Sequence, residues 1–373
     1  MRFLIDHATL GPAFAFVSRI APNRAVRPIL SAVLLEAHGR ELVLKTTDLE
    51  TSAVTVIPAQ VRTEGRAALP VRYVGELLRR IPGGELEWTV GPEDTSCVVT
   101  WQRSRFTIHV FDANLFPSVP EFPDRAEHIL PQAALRNTIQ HSVFAASVGD
   151  TARPLLNGVE LRMSENAVFA LATDGFQAAA YASAPEARRP DQNGVVVPAD
   201  ALGEVARLLT DSEAPCAIAR QGNEILFRVG PSYVVSRILE GRFFSVLDLV
   251  PKQFVTQVHV SLEAFVGACA RVALISDQEP PHTVIFNVGA GEIALEATSA
   301  QVGSAQETVE ARVEGTSVRL GFNGRHMLEG LRHFSGSEVS LEFSGVKSLA
   351  RLTDPRDGRL QLLQMPLDVS EAE

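Results

Sequence analysis

Carboxylates are the side chains of this sequence that could most readily do chemistry, because two of them in one cleft can serve as general acid and general base. Asp48 and Glu50 lie in the segment TTDLE, and Asp174 lies in the similar segment ATDG. Asp48 and Asp174 are 126 residues apart and occupy equivalent places in two similar stretches of chain. Equivalent carboxylates of a repeated unit belong to separate domains, so we interpret both as turn or cap residues rather than as a catalytic pair.

The cysteine, histidine and glycine patterns predict neither an enzyme nor a metal centre. Cys97, Cys216 and Cys269 are far apart and odd in number, which matches no zinc spacing and is typical of buried thiols in a reducing compartment. Gly289 and Gly291 lie between strands without a following helix, as in a hairpin turn rather than a nucleotide-binding loop. We predict a non-catalytic protein without cofactor or metal; an enzyme and a purely structural β-rich scaffold are the alternatives.

The elements that position these residues recur three times along the chain. Each repeat begins with a short strand and an amphipathic helix, continues with a hairpin and more strands, and then runs into a second helix. Pro70 and Pro198, which each open a second helix, are 128 residues apart, so the repeated unit is a whole domain. The predicted helices are Ala8–Arg19, Val71–Arg80, Gln132–Ser147, Ala199–Leu209, Ser261–Ile275 and Asn323–Phe334.

This order of elements predicts α+β domains, each with two helices packed on antiparallel sheets. The Pro-rich stretches Phe116–Asp124 and Pro251–Thr256 are expected as links. The predicted domains are therefore residues 1–121, 126–252 and 255–369. Asp6 and His7 interrupt the first apolar run, and no stretch approaches the roughly 18 apolar residues of a membrane span, so we expect a cytoplasmic protein without a membrane partner.

The predicted helices are more positive than the rest of the chain. They carry nine Lys or Arg and five Asp or Glu, a balance of +4, which leaves −14 for the remainder of a chain of net charge −10. A positive face on an acidic body is typical of a protein that attracts phosphates at one surface. Since solvated helices often carry arginine, the charge by itself does not establish DNA binding.

Short segments spread over all three repeats match the pattern of one family in order. They are RPIL after Arg24, TTDLE at Thr46–Glu50, RSRF at Arg103–Phe106, LLNGVEL at Leu155–Leu161, ATDG at Ala172–Gly175, EGRF at Glu240–Phe243, GFN at Gly321–Asn323 and MP at Met365–Pro366. Through them the chain resembles the bacterial DNA polymerase III beta subunit, or beta sliding clamp, over essentially its whole length.

The resemblance implies a DNA sliding clamp, a non-catalytic processivity factor of DNA replication. Two chains of three DNA-clamp domains would form a head-to-tail homodimeric ring around duplex DNA. The implied partners are double-stranded DNA, bound topologically and without sequence preference, the chain itself, the DNA polymerase III alpha subunit, the clamp loader, and repair and other proteins with a clamp-binding motif. Arg24 and Arg72 match DNA-contact positions of the family. The other arginines expected at the DNA, from their helices or loops, are Arg27, Arg79, Arg80, Arg136, Arg207 and Arg325.

Opposite charges mark the two predicted edges that would meet in the ring. The segment WQRSRFTIHV is basic and AQETVEARVE is acidic, which favours pairing in a defined register. The expected interface residues are Leu77, Arg103, Arg105, Phe106, Ile108, Leu274, Ile275, Glu307 and Glu310. The alternative is that each edge is merely solvated.

The resemblance also implies a hydrophobic pocket for short linear peptides between the second and third domains. Its residues here would be Leu156, Thr173, Gly175, Phe176, Gln177, Ala178, Phe244, Leu249, Val346, Ser348, Met365, Pro366, Leu367 and Asp368. Phe176-Gln177 stands where His-Arg is common, and Phe244 stands where Pro is usual. Asp248 and Asp368 stand where Arg is frequent, and we expect them to repel acidic peptides. These departures leave open whether the chain is a main replication clamp or a diverged second copy.

Overall fold

Helices begin where the sequence supplies a capping side chain. The computed structural model describes residues 1–22, 24–91, 95–165, 167–184, 194–277, 280–345 and 347–368. Helix α1 (His7–Val17) follows Asp6, whose carboxylate accepts the N–H of Ala8 at 2.7 Å. Such a cap satisfies an N–H that has no partner within the helix. Ser261 and Asn323 cap α5 and α6 in the same way. The helices after α1 are α2 (Val71–Arg80), α3 (Gln132–Gln140), α4 (Ala199–Leu208), α5 (Leu262–Ser276) and α6 (Gly324–Leu331).

All six predicted helices are present, but α3 is shorter than predicted. The sequence favoured helix as far as Ser147, whereas α3 ends at Gln140 and a separate 3-10 turn covers Val143–Ala145. The hydroxyl of Ser142 donates to the carbonyl of Thr138 at 2.8 Å. A serine that bonds the carbonyl four residues back competes with the helical pattern, and this one lies just past the last residue of α3.

Alternating burial along the sequence produces the strands. In β20, for example, Ile293, Leu295 and Ala297 are buried while Glu292 is exposed, as expected when successive side chains point to opposite faces. The strands are β1 (Arg2–Asp6), β2 (Ala32–His38), β3 (Glu41–Thr47), β4 (Thr51–Pro58), β5 (Gln60–Thr63), β6 (Gly65–Pro70), β7 (Glu85–Val90), β8 (Ser96–Trp101), β9 (Ser104–His109), β10 (His128–Pro131), β11 (Gly158–Met163), β12 (Val168–Thr173), β13 (Gln177–Ala182), β14 (Val195–Pro198), β15 (Pro215–Gln221), β16 (Glu224–Val229), β17 (Ser232–Arg237), β18 (Thr256–Ser261), β19 (Thr283–Gly289), β20 (Glu292–Ser299), β21 (Gly303–Gly315), β22 (Val318–Asn323), β23 (Glu338–Phe343), β24 (Ala350–Thr353) and β25 (Leu360–Gln364).

The strands form three antiparallel sheets in two compact units. The first unit, Met1–Ala133 with Glu204–Ile238, holds a sheet in the order β5-β1-β7-β8-β9 and a sheet in the order β10-β15-β16-β17-β4-β3-β2-β6. The second unit, Ala134–Gly203 with Leu239–Glu373, holds the order β14-β11-β12-β13-β25-β24-β23-β18-β21-β20-β19-β22. Strands of different repeats share a sheet, since β17 pairs with β4 and β13 with β25. The compact units therefore do not coincide with single repeats.

Each unit has its own core of large side chains. In the first, the rings of Phe3 and Trp88 stack with centroids 6.1 Å apart and both are fully buried. In the second, Phe286 lies edge-on between Phe265 and Phe322, at 5.7 and 5.1 Å. Packing of this kind anchors the helices on the sheets through apolar burial. No described helix is long and apolar enough to cross a membrane.

Candidate functional site

The carboxylates singled out in the sequence shape two turns of identical construction. The Asp48 carboxylate accepts the N–H groups of Glu50 and Thr51, at 2.9 and 2.7 Å. The Asp174 carboxylate accepts the N–H groups of the two residues at the equivalent places, Phe176 and Gln177, at 2.7 and 2.8 Å. Both carboxylates are turn residues, as predicted, and an acceptor of two backbone N–H groups is held in place rather than poised for proton transfer.

The cysteines are buried thiols, as the sequence predicted. Burial raises the pKa of Cys97 and of Cys216 to about 12 and also raises the pKa of Cys269. A thiol with a raised pKa carries little of the reactive thiolate at neutral pH. These residues therefore belong to the cores.

The second unit contains an apolar cavity of about 380 Å³. Three elements form it: the turn between β12 and β13, the end of β25 and a 3-10 helix at Val246–Leu249. The backbone joins two of them, because the N–H of Met365 donates to the carbonyl of Phe176 at 2.8 Å. The lining residues are Arg153, Leu156, Thr173, Gly175, Phe176, Gln177, Ala178, Phe244, Ser245, Val246, Leu249, Leu349, Leu363 and Met365.

Nine residues expected in the pocket line this cavity. They are Leu156, Thr173, Gly175, Phe176, Gln177, Ala178, Phe244, Leu249 and Met365. Several are large and open to solvent, with Leu249 67%, Phe176 61% and Phe244 42% exposed. Exposed apolar side chains that converge on a concave surface mark a binding site rather than a core.

Some residues of the expected pocket do not line this cavity. Ser348, Pro366, Leu367 and Asp368 are not among the residues that line the cavity, and Val346 lies outside the described residues. For residues 366–368 the reason is the course of the chain after β25. The N–H of Leu367 donates to the carbonyl of Gly321 at 2.7 Å, which draws this segment against β22.

The charge at the cavity is opposite to the expectation. Asp248 lines a different cavity, together with Lys252 and Arg351, and no Asp or Glu of the described residues lines the apolar cavity. Among the described residues, the one charged residue that lines it is Arg153, whose Nη1 would lie 3.0 Å from a Cβ added at Gly175. Asp248 and Asp368 do not line this cavity, and Arg153 at its edge would attract an acidic ligand rather than repel it.

Arg153 was not among the residues predicted for the pocket, and its neighbours in sequence hold it in place. Its backbone N–H donates to the Asp150 carboxylate at 2.8 Å, and its side chain pairs with the same carboxylate at 3.1 Å. The backbone N–H of Arg153 is the largest of the influences that lower the pKa of Asp150. A signal was available, because the segments RPIL, which begins at Arg27, and RPLL, which begins at Arg153, are equivalent in the first two repeats.

In the first unit, side chains occupy the place that is equivalent to the apolar cavity of the second unit. The N–H of Arg237 donates to the carbonyl of Glu50 at 2.9 Å, matching the bond from Met365 to Phe176, but here the two side chains form an ion pair at 3.5 Å. The ring of Phe122 contacts Tyr233 edge-on at 6.1 Å, and the Tyr233 hydroxyl donates to the carbonyl of Pro120 at 3.1 Å. Aromatic side chains and an ion pair therefore take the place of an open apolar surface.

Seven of the eight arginines expected at DNA are exposed, and Arg136 is half-buried with an Nε that has no hydrogen-bond partner. Ion pairs engage four of them: Arg79 and Arg80 pair with Glu76, Arg207 with Glu204, and Arg325 with Asp277. None of the ion pairs among the described residues involves Arg24, Arg27 or Arg72. These three cations are the ones most available to phosphates.

Among the described residues, each of the two edges expected at the interface has an unpaired side within its own unit. β9 is the last strand of its sheet and pairs only with β8. In β21, residues 303–310 pair with β20 alone, because β18 pairs only with residues 311–315. An edge strand presents free N–H and C=O groups that another strand can use.

The side chains of these two edge strands point to opposite faces of their sheets. Phe106 and Ile108 of β9 pack against the core of the first unit, as Leu77 of α2 does, while Arg105 is exposed. Of the two β21 glutamates expected at the interface, Glu307 is held by Arg271 of α5 at 2.6 and 2.7 Å, and Glu310 points to the opposite face. On α5, Leu274 is 68% exposed and Ile275 is half-buried.

A histidine cluster lies beside α6 in the second unit. The ring of His333 stacks on Phe144 at 4.1 Å and meets the ring of His141 at 5.6 Å. Burial lowers the pKa of His333, and the nearby His141 lowers it further, while Glu329 opposes the shift. The neutral ring is therefore the form that the folded protein favours.

Comparison with known proteins identifies the family of this chain. Three models of the DNA polymerase III beta subunit match in order: the N-terminal domain at residues 1–120, the central domain at 129–244 and the C-terminal domain at 247–368. The chain belongs to the DNA polymerase III beta subunit family. Beta sliding clamps of Staphylococcus epidermidis and Staphylococcus aureus are each 28% identical over 353 residues, which are 92% of this chain and 93% of theirs.

Solved structures agree with the family. A sliding clamp from Caulobacter crescentus matches with a TM-score of 0.90 and 27% identity, over 99% of this chain and 100% of that one. A sliding clamp from Pseudomonas aeruginosa bound to griselimycin matches with a TM-score of 0.90 and 26% identity, over 99% of both chains. The three-domain clamp fold predicted from the repeats is thereby confirmed. This family member is a DNA sliding clamp, the non-catalytic processivity subunit of a DNA polymerase.

Proposed function

We propose that this clamp works as a closed homodimer in which the free edge of β9 on one copy pairs with residues 303–310 of β21 on the other. The observation that carries the proposal is the pair of free strand edges with opposite charges, Arg105 on β9 and Glu310 on β21. Joining them satisfies backbone groups that would otherwise invite aggregation, and head-to-tail joining twice closes a ring. Phe106, Ile108 and Leu77 would face Leu274 and Ile275 on the helix side of the same joint.

A charge exchange tests the joint. Light scattering at micromolar concentration should give a mass near twice 40.3 kDa. Arg105→Glu should shift the equilibrium towards monomer because it places Glu opposite Glu310, and Glu310→Arg in the same chain should restore the dimer. The matched control is Arg62→Glu on β5, the opposite edge of the same sheet, which should leave the mass unchanged. A wild-type monomer at every accessible concentration would contradict the ring.

We propose that the ring holds duplex DNA through a small set of arginines and retains it by topology. Arg24, Arg27 and Arg72 are the principal contacts, because they are exposed and lie outside the ion pairs described above. Arg136 contributes next, and the paired arginines Arg79, Arg80, Arg207 and Arg325 less. Contacts to phosphates without base-reading geometry bind without sequence preference and weaken with salt.

We propose that the apolar cavity binds short peptide segments of the DNA polymerase III alpha subunit, of the clamp loader and of other clamp-binding proteins. The exposed Phe176, Phe244 and Leu249 support this function, since each gains burial when an apolar peptide enters. Arg153 favours peptides with a carboxylate at the matching place. Residues 366–368 and Ser348 would belong to an adjoining surface rather than to the cavity.

We also propose three structural domains, at residues 1–121, 126–252 and 255–369, for the folding of the chain. The location that suits a clamp on the bacterial chromosome is the cytoplasm.

The peptide partners of this protein decide whether it is a main replication clamp or a diverged second copy. Gln177 and Phe244, which differ from the usual family pattern, both line the cavity and so bear on that choice.

A further inference from the structure

The second helix of every repeat carries the same ion pair, in which a glutamate bonds an arginine three residues later. The pairs are Glu76 with Arg79 on α2, Glu204 with Arg207 on α4 and Glu329 with Arg332 on α6. Their glutamates are 128 and 125 residues apart, and so are their arginines, so the three pairs occupy equivalent places in the repeats. The arginine side chains remain on the surface, 72%, 59% and 69% exposed.

Helix stability alone does not account for where these pairs occur. A glutamate one turn before an arginine stabilises any helix slightly, and an arginine in the last turn suits the helix dipole. The first helices would gain as much, yet in the part of the chain that the structure describes no ion pair joins two residues of α1, α3 or α5. The first turns of the second helices are not alike either, since the equivalent residues there are Arg72, Asp200 and Arg325. The recurring pair is therefore a specific feature of the helices that carry five of the eight arginines expected at DNA.

A carboxylate beside an arginine lowers the attraction of that arginine for phosphate. The pair has no net charge, so its field falls off faster with distance than the field of a lone cation. A phosphate that reaches the guanidinium also meets the negative glutamate beside it. Resting on the proposed DNA function of this clamp, we propose that Glu76, Glu204 and Glu329 weaken the direct binding of duplex DNA, so that the ring slides while topology retains it.

Removal of the three carboxylates tests the proposal. Glutamine has nearly the helix propensity of glutamate, so the triple variant Glu76→Gln, Glu204→Gln, Glu329→Gln should fold with little change in Tm. Fluorescence anisotropy with a short labelled duplex at low salt should show tighter binding than the wild type, by about 2- to 5-fold for each glutamate and about 10- to 100-fold in all. The affinity should also fall more steeply with salt, because each freed arginine adds about one phosphate contact.

A second set of equivalent glutamates provides the matched control. Glu85, Glu213 and Glu338 each lie nine residues beyond a paired glutamate and are exposed. None of the three takes part in an ion pair of the described chain. Their change to glutamine alters the net charge equally but frees no arginine, so it should raise the affinity much less. An equal gain in both triple variants would overturn the proposal, since overall charge would then explain it.

A double-mutant cycle on α4 shows whether a glutamate acts through its own arginine. Arg207→Gln should lower the DNA affinity of the wild type little, but should lower that of Glu204→Gln about 2- to 5-fold, because the arginine is then unmasked. If Arg207→Gln has the same effect in both backgrounds, Glu204 does not act through Arg207 and the inference falls. A lower Tm of the triple variant without a gain in affinity would assign the pairs to helix stability and overturn it as well.

Sliding provides the second readout, and it separates this inference from the proposed DNA function. On stretched DNA, a labelled ring of the triple variant should diffuse more slowly than the wild type. If the wild type neither binds duplex at low salt nor stays on circular DNA, the DNA function and the inference both fail. If the wild type stays on circles while the triple variant binds and diffuses as it does, the DNA function stands and only the role of the glutamates is refuted.

Discussion

Truncation of Leu249 isolates the apolar contribution of the cavity to peptide binding. Leu249 ends the 3-10 helix Val246–Leu249, lines the cavity and is 67% exposed in the free chain. Full burial of a leucine side chain is worth about 1.5–3 kcal/mol. A peptide that covers the exposed two-thirds would therefore gain about 1–2 kcal/mol from it, so Leu249→Ala should weaken binding about 5- to 30-fold.

The same exposure predicts little effect on folding. A surface truncation of this kind changes the free energy of unfolding by about 0.5 kcal/mol or less. Leu115→Ala is the matched control, because Leu115 also ends a 3-10 helix, Ala113–Leu115, is 68% exposed and lies in the first unit away from the cavity. Anisotropy titrations with one labelled peptide would compare the two. Equal affinities of Leu249→Ala and the wild type, or equal losses in both variants, would refute the apolar-anchor reasoning.

Three further predictions concern charge. Arg153→Gln should lower the affinity for an acidic peptide more than the affinity for its neutral analogue, whereas Asp248→Arg, outside the cavity, should change neither affinity. If Arg153→Gln lowers both affinities equally, Arg153 does not distinguish the charge of the peptide. Arg72→Glu should shorten clamp retention on DNA at low salt more than Arg79→Glu, because Arg79 already pairs with Glu76; the reverse order would contradict the proposed ranking. Because the pKa of His333 is lowered from its ordinary value near 6.5, its neutral ring stabilises the fold above that pH, and the stabilisation is lost as the pH falls through the lowered pKa. Denaturant titrations between about pH 7.5 and 5.5 should show a fall in the free energy of unfolding that His333→Phe reduces, and an equal fall in both proteins would count against the cluster.

Repeats and periodicity predicted the helices and the sheet class well, because helix caps and alternating burial are local. Val71–Arg80 was predicted to the residue, since Pro70 and the following apolar spacing define both ends. The end of α3 was missed because it depends on local geometry, including the bond from the Ser142 hydroxyl to Thr138, rather than on periodicity. The joining of β17 to β4 and of β13 to β25 is invisible to periodicity, because it depends on long-range strand pairing.

The sequence predicted the residues at the floor of the cavity but not the charged residue that lines it. Leu156, Thr173 and Ala178 followed from short matching segments of chain. The placement of Asp248 and Asp368 did not, because the side on which a loop residue emerges depends on bonds such as that from Leu367 to Gly321. Gln177 was recognised as a departure from the family pattern, but its burial beside Gln364 is a property of long-range strand pairing.

Retention on circular DNA tests the central claim, that this chain is a clamp which holds DNA by encircling it. The clamp would be loaded by a clamp loader onto nicked circular duplexes, and the bound fraction measured by gel filtration before and after the circle is cut once. A topological link predicts stable retention on the circle at a salt concentration that abolishes direct binding, and release on linearisation. Equal retention on cut and uncut DNA, or binding that depends on a particular sequence, would contradict it.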